Sequence, residues 1–153
     1  MAGGIQRSRL VVWLSTIIIL LLSFVLVLEK LEQDVDDAAF LLASKRIIER
    51  ASFYKQQWML KGQRESLIVE NQSLVFSETG WVLPKMFEKN KQCMAWLSLL
   101  YPKLSILDSM PLKVVNRSEL NNYQCDYVYT QGKSIHIQLV DNTFTVSVGF
   151  SST

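Results

Sequence analysis

The 153-residue sequence has one histidine, His136, and two cysteines, Cys93 and Cys125. Those three side chains alone cannot complete a four-ligand structural zinc site. Any Ser-His-Asp or Cys-His arrangement would have to use His136. That residue alternates with Ile135 and Ile137 in a strand-like run, which turns it to solvent or to the second side of a sheet. The chain lacks a Gly-rich phosphate loop and any pair of acids at a recognisable catalytic spacing. No catalytic residue, cofactor or metal is expected. There is no repeat in the solenoid or propeller range and no low-complexity segment.

A strong charge of either sign is also missing. The formal net charge is +2, and Arg7 and Arg9 account for it. Without that pair, 14 of the 16 basic residues face 14 acids, so the remainder is formally neutral. A nucleic-acid binder would carry a basic face; no nucleic-acid partner is expected.

The longest absence is of charge, glycine and proline between Leu10 and Leu28. Ser15, Thr16 and Ser23 are the only polar side chains there. As a helix this run would measure about 28 Å, close to the hydrocarbon thickness of a bilayer. A cleaved secretory signal has a shorter apolar region and ends at a small-x-small site. Here the run ends Leu26-Val27-Leu28-Glu29-Lys30, which offers none. A prepilin leader would place glycine directly before the apolar helix and an acid just inside it; Gly3 and Gly4 precede Arg7 and Arg9, and the run holds no acid. Length and purity argue against a buried core helix. The segment therefore reads as a retained anchor. Arg7 and Arg9 on a short N-terminal tail favour a cytoplasmic N-terminus and export of the rest, although Lys45 and Arg46 on the far side make the bias modest. The expected divisions are a cytoplasmic tail (1–9), a transmembrane helix (10–28), a stalk and packing helix (29–61) and a periplasmic α+β domain (62–153), single-pass in a bacterial inner membrane. Export favours a Cys93–Cys125 disulfide, worth about 3–4 kcal/mol in the chain-entropy model, over two unpaired buried thiols.

Helix continues without Pro or Gly from Glu29 to Lys61, and Gly62 suits its end. Leu28, Leu31, Val35, Ala38 and Leu42 form a sparse stripe, as a stalk or weak coiled-coil seam would; the stalk could pair with a second copy. Phe40, Ala43, Ile47, Ala51, Tyr54 and Trp58 form a richer one, as a helix packed on a sheet would. Arg46, Arg50, Tyr54 and Trp58 are candidates for a partner-contact surface, since Arg, Tyr and Trp carry interface energy disproportionately. Packing on the protein's own sheet explains Tyr54 and Trp58 equally well.

Beyond Gly62, Leu67–Val69 and Leu74–Phe76 read as a hairpin around Glu70-Asn71-Gln72. Pro84 fits the first turn of a second helix reaching Leu100, with Phe87, Met94, Leu97 and Leu100 inside. "PLKVVN", "YQCDYVYT", "SIHIQLV" and "TFTVSVGF" read as strands, the last three antiparallel across Gln131-Gly132-Lys133 and Asp141-Asn142. Tyr123, Cys125, Tyr127 and Tyr129 share one face; Asp126, Val128 and Thr130 share the other. Ile135, Ile137 and Leu139, then Phe144, Val146 and Val148, supply further apolar faces, for which the two helices are the available covers.

Two strings carry a family resemblance. "RIIERASFYKQQWMLKGQ" followed by "LVFSETGWVLP" resembles the accessory membrane proteins of mannose-sensitive haemagglutinin (MSHA) pilus biogenesis. The specific residues are Glu49-Arg50 with Tyr54-Lys55-Gln56 and Trp58, and Gly80-Trp81-Val82 with Pro84; the layout covers roughly residues 10–150. The resemblance implies an inner-membrane protein that helps assemble a type IV pilus by contacts with assembly proteins or pilins, with no enzymatic activity and no cofactor. It brings no set of functional residues. The outline is also similar to a type IV pilin, so a divergent minor pilin or pseudopilin is the alternative, although the peptidase site and the acid inside the apolar helix are missing.

Overall fold

The computed structural model describes residues 2–84 and 91–150, with backbone alone for residues 2–8 and 29–34. The protein is α+β. Helix α1 covers Ala2–Leu60, and the chain divides within it into two units, Met1–Ala38 and Ala39–Thr153.

The first unit contains one stretch, Arg9–Leu28, long and apolar enough to cross a membrane, and none of it is buried in protein. Its hydroxyls are satisfied within the helix. Ser15 and Thr16 both donate to the Val12 carbonyl (2.8 and 2.7 Å), and Ser23 donates to Leu20 (2.8 Å). In hydrocarbon, where water cannot serve, such back-bonding removes the penalty of the hydroxyl.

In the second unit, α1 buries Phe40, Ala43, Ile47, Ala51, Tyr54 and Trp58, the whole of the richer stripe. Of the sparser stripe, Val35 and Leu42 are exposed, and the side chain of Leu31 lies outside the described residues. The helix closes on Gly62 (φ +83°), with the Gln63 amide donating to the Trp58 carbonyl at 3.0 Å. That six-to-one bond across a left-handed glycine is the Schellman closure.

Strands β1 (Ser66–Val69), β2 (Gln72–Phe76) and β3 (Val82–Leu83) form a three-stranded antiparallel sheet. The β1–β2 turn is Glu70-Asn71, both with positive φ (51° and 62°), and Gln72 belongs to the strand. Two left-handed residues match a hairpin's twist. Helix α2 covers Gln92–Leu100, shorter than the sequence suggests. Pro84 is buried and outside it; Phe87 lies outside the described residues. Met94 is exposed, and Trp96 takes the core position, with its indole N–H donating to the Val82 carbonyl at 3.2 Å.

Strands β4 (Lys113–Asn116), β5 (Tyr123–Val128), β6 (Lys133–Val140) and β7 (Thr143–Phe150) form an antiparallel meander in that order. The β5–β6 link is a short 3-10 turn, Thr130–Gly132; Lys133 opens β6 rather than belonging to the turn. One sheet face contributes Tyr123, Cys125, Tyr127, Ile135, Ile137 and Leu139 to the core, with Phe144, Val146 and Val148 packed beside them. Phe40 of α1 meets Tyr129 edge to face (centroids 5.2 Å apart), and Trp96 of α2 meets Tyr123 and Phe144. Cys93 and Cys125 are bonded, Cα–Cα 5.5 Å, which links α2 to β5.

Candidate functional site

Three places in the Ala39–Thr153 unit gather chemistry-bearing side chains. The first is the region around Arg50. Its Nε donates to the Leu99 carbonyl at 2.9 Å and its Nη2 to Glu70 Oε2 at 2.7 Å. The Tyr54 hydroxyl donates to the same Glu70 oxygen at 3.3 Å. Burial, opposed by the nearby Arg50 charge and reinforced by Glu70, raises the pKa of Tyr54. Trp58 is buried too; its indole N–H donates to the Arg64 carbonyl at 2.9 Å. Thus Tyr54 and Trp58 are packed into the core, with Arg50 over the Tyr54 ring and Trp58 lining the cleft described below. Arg46 is exposed, and Arg50 is half-buried with its guanidinium already engaged.

The second place is the outer face of the four-stranded sheet. Alternation turns Asp126 outward, yet its side chain is only 7% exposed. Neighbouring strands close over it. His136 Nδ1 lies 2.7 Å from Oδ1, directly across the β5–β6 register. Arg117 Nε lies 2.9 Å from Oδ2, an ion-pair contact without hydrogen-bond alignment, so Oδ2 has no hydrogen bond. On the other ring nitrogen, His136 Nε2 lies 3.0 Å from Ser134 Oγ. Gly149 leaves room for this pair: a Cβ there would stand 2.6 Å from Ser134 Oγ and 3.1 Å from His136 Nε2. The order hydroxyl–imidazole–carboxylate is that of a serine nucleophile relay. A working relay also needs an oxyanion site. Around Ser134 the backbone pairs with Val128 on one side and Gly149 on the other, which commits it to the sheet.

The third place is a cleft of about 750 Å³ between the end of α1, the β2–β3 loop and the β6–β7 turn. Its floor is Trp58, Phe76, Leu83, Tyr123 and Leu139, all buried. Its rim carries Glu65, Glu78 and Asp141 with the amides of Gln63, Asn122 and Asn142. Among the described residues, no lysine or arginine lines it. The sequence offered no short string for this cleft, because its walls come from four separated segments. The only advance signals were the Thr79-Gly80 and Asp141-Asn142 turns.

Among the described residues, no group of three or more acidic, histidine or cysteine side chains could hold a metal ion. No protein-family model matches the chain, and no curated protein or solved structure resembles it.

Proposed function

We propose that this chain is a bitopic inner-membrane accessory protein of MSHA-type type IV pilus biogenesis, non-enzymatic and working by protein contacts. The N-terminus lies in the cytoplasm, the Arg9–Leu28 helix stays in the bilayer, residues 29–61 act as stalk and packing helix, and the disulfide-linked domain faces the periplasm. The observation that carries this reading is the pairing of two features. One is an apolar helix with no protein covering it and with its hydroxyls bonded internally. The other is a small domain tied by Cys93–Cys125, the kind of bond that persists in oxidising compartments. The two strings quoted above supply the pilus assignment.

Affinity purification of the tagged full chain from membranes is expected to recover pilus-assembly proteins or pilins; recovery of none would remove the assignment. The alternative, a minor pilin or pseudopilin built into a fibre, draws on the long N-terminal helix followed by a disulfide-linked antiparallel sheet. N-terminal sequencing separates the two: a start trimmed ahead of the apolar run favours the fibre.

A further inference from the structure

We propose that the cleft beside Tyr123 receives a lysine or arginine side chain from an extended segment of a partner protein. The inference deepens the reading of the domain as a protein-binding module and is independent of the pilus assignment.

Three observations carry it. Glu65, Glu78 and Asp141 all line one cavity, and none of their carboxylates has an ion-pair partner among the described residues. In a unit that carries 13 basic residues against 9 acidic ones this is a local excess of negative charge, and a partly walled cleft focuses such a field. The carboxylates do not converge tightly enough to share a metal ion. They surround a volume, which suits a guanidinium or an ammonium on a long stem. The second observation is Tyr123. It is 6% exposed and lines the cleft, and its hydroxyl has no hydrogen-bond partner among the described residues. A phenol oxygen accepts from a cationic N–H, while Leu83 and Leu139 offer apolar surface for the stem.

The third observation is that the rim is held in place. Asp141 and Asn142 occupy left-handed positions (φ 48° and 62°) in the two-residue β6–β7 turn. The Asp141 amide donates to Asn122 Oδ1 at 3.3 Å, and Thr79 Oγ1 donates to the Asn142 carbonyl at 3.4 Å. A rim ordered before binding loses less entropy on binding. A saccharide would instead want an exposed ring face for stacking. Trp58 and Tyr123 offer none, and Gly80 sits against the Trp58 ring.

The test uses the full chain in nanodiscs of neutral lipid. The probe is a fluorescein-labelled eight-residue Gly/Ser peptide carrying one lysine and one arginine. Its control has acetyl-lysine and citrulline at those positions. By fluorescence anisotropy at low salt, the basic peptide is expected to bind saturably at 1:1 and about tenfold tighter than the control, weakening as salt rises. The Glu65→Gln, Glu78→Gln, Asp141→Asn variant is expected to lose the preference; Asn is at home at a left-handed turn position. Tyr123→Phe is expected to weaken binding about threefold with the salt slope kept, the size of one modest hydrogen bond. Equal binding of both peptides, or saturable binding of neither, by the unsubstituted protein overturns the proposal without recourse to any variant. If the cleft binds as expected while membrane purification recovers no pilus protein, the pilus assignment falls and the cleft stands.

Discussion

The Tyr127 hydroxyl donates a 2.6 Å hydrogen bond to the carbonyl of Cys93, whose sulfur is bonded to Cys125. Both ties leave β5, from residues two apart on its inner face, and both end on one residue of α2. The short helix is thus fixed to the sheet in position by the disulfide and in rotation by the hydrogen bond.

Two removals should therefore be unequal but coupled. Replacing both cysteines by alanine is expected to lower the unfolding free energy by about 3–4 kcal/mol. Tyr127→Phe is expected to cost about 1–3 kcal/mol, because the buried Cys93 carbonyl loses its donor. Urea denaturation of each variant and of the combination checks this, and the shared residue should make the combined loss non-additive.

Gly80 is where the loop and the core meet. Its φ is +83°, and a Cβ there would lie 2.7 Å from Trp58 Cζ3 and 2.8 Å from Cδ2. The Trp58 ring is tied by its indole N–H to the Arg64 carbonyl, so shifting it would cost that hydrogen bond. Gly80→Ala is expected to destabilise by more than about 2 kcal/mol, combining backbone strain and overpacking. Thermal unfolding measures the loss, with a shift in tryptophan emission as the accompanying sign.

The inner-face tyrosines make the domain sensitive to alkali. Burial pushes the Tyr129 hydroxyl up to about 12, with the neighbouring Tyr101 adding to it, and burial raises Tyr127 well above its ordinary value. An unfolded tyrosine ionises near pH 10. Below that pH the folded state keeps its full advantage. Between about 10 and 12 the unfolded chain releases protons that the folded chain retains, so stability falls as pH rises. Denaturation midpoints at pH 8, 10 and 11.5 are expected to be flat over the first interval and to drop over the second.

Asp126 should behave as a buried structural charge. Asp126→Ala leaves the largely exposed Arg117 and the partly exposed His136 without their carboxylate and is expected to cost about 1.5–3 kcal/mol. Ser134→Ala removes one half-exposed hydroxyl and is expected to cost about 0.5–1 kcal/mol while leaving partner recovery intact. Covalent labelling of Ser134 by a fluorophosphonate probe, abolished in His136→Ala, would instead establish an enzyme.

Much of the fold was legible because its signals are local. The stripe from Phe40 to Trp58 and the alternation of Tyr123, Cys125 and Tyr127 are periodicities that each element carries alone. The start of α2 was not legible. Pro84 is a fair helix opener by itself, but here it is buried next to β3 and outside α2, and residues 85–90 lie outside the described residues. Trp96 displaced Met94 because its indole reaches Val82 of a different sheet, a contact no window of α2 contains. Asp126 sits on the expected face; His136 meets it through the β5–β6 register, and Arg117, just beyond β4, reaches its second oxygen. The cleft is legible only after folding, since Glu65, Glu78, Tyr123 and Asp141 are far apart in the chain.

The central claim is that the apolar helix stays attached and in lipid. Intact-mass measurement of the protein extracted from carbonate-washed membranes tests it most directly. The expected result is a species in the membrane pellet whose mass still includes the Leu10–Leu28 run. A mature protein beginning after Leu28, or the full chain recovered in the soluble fraction, would contradict it.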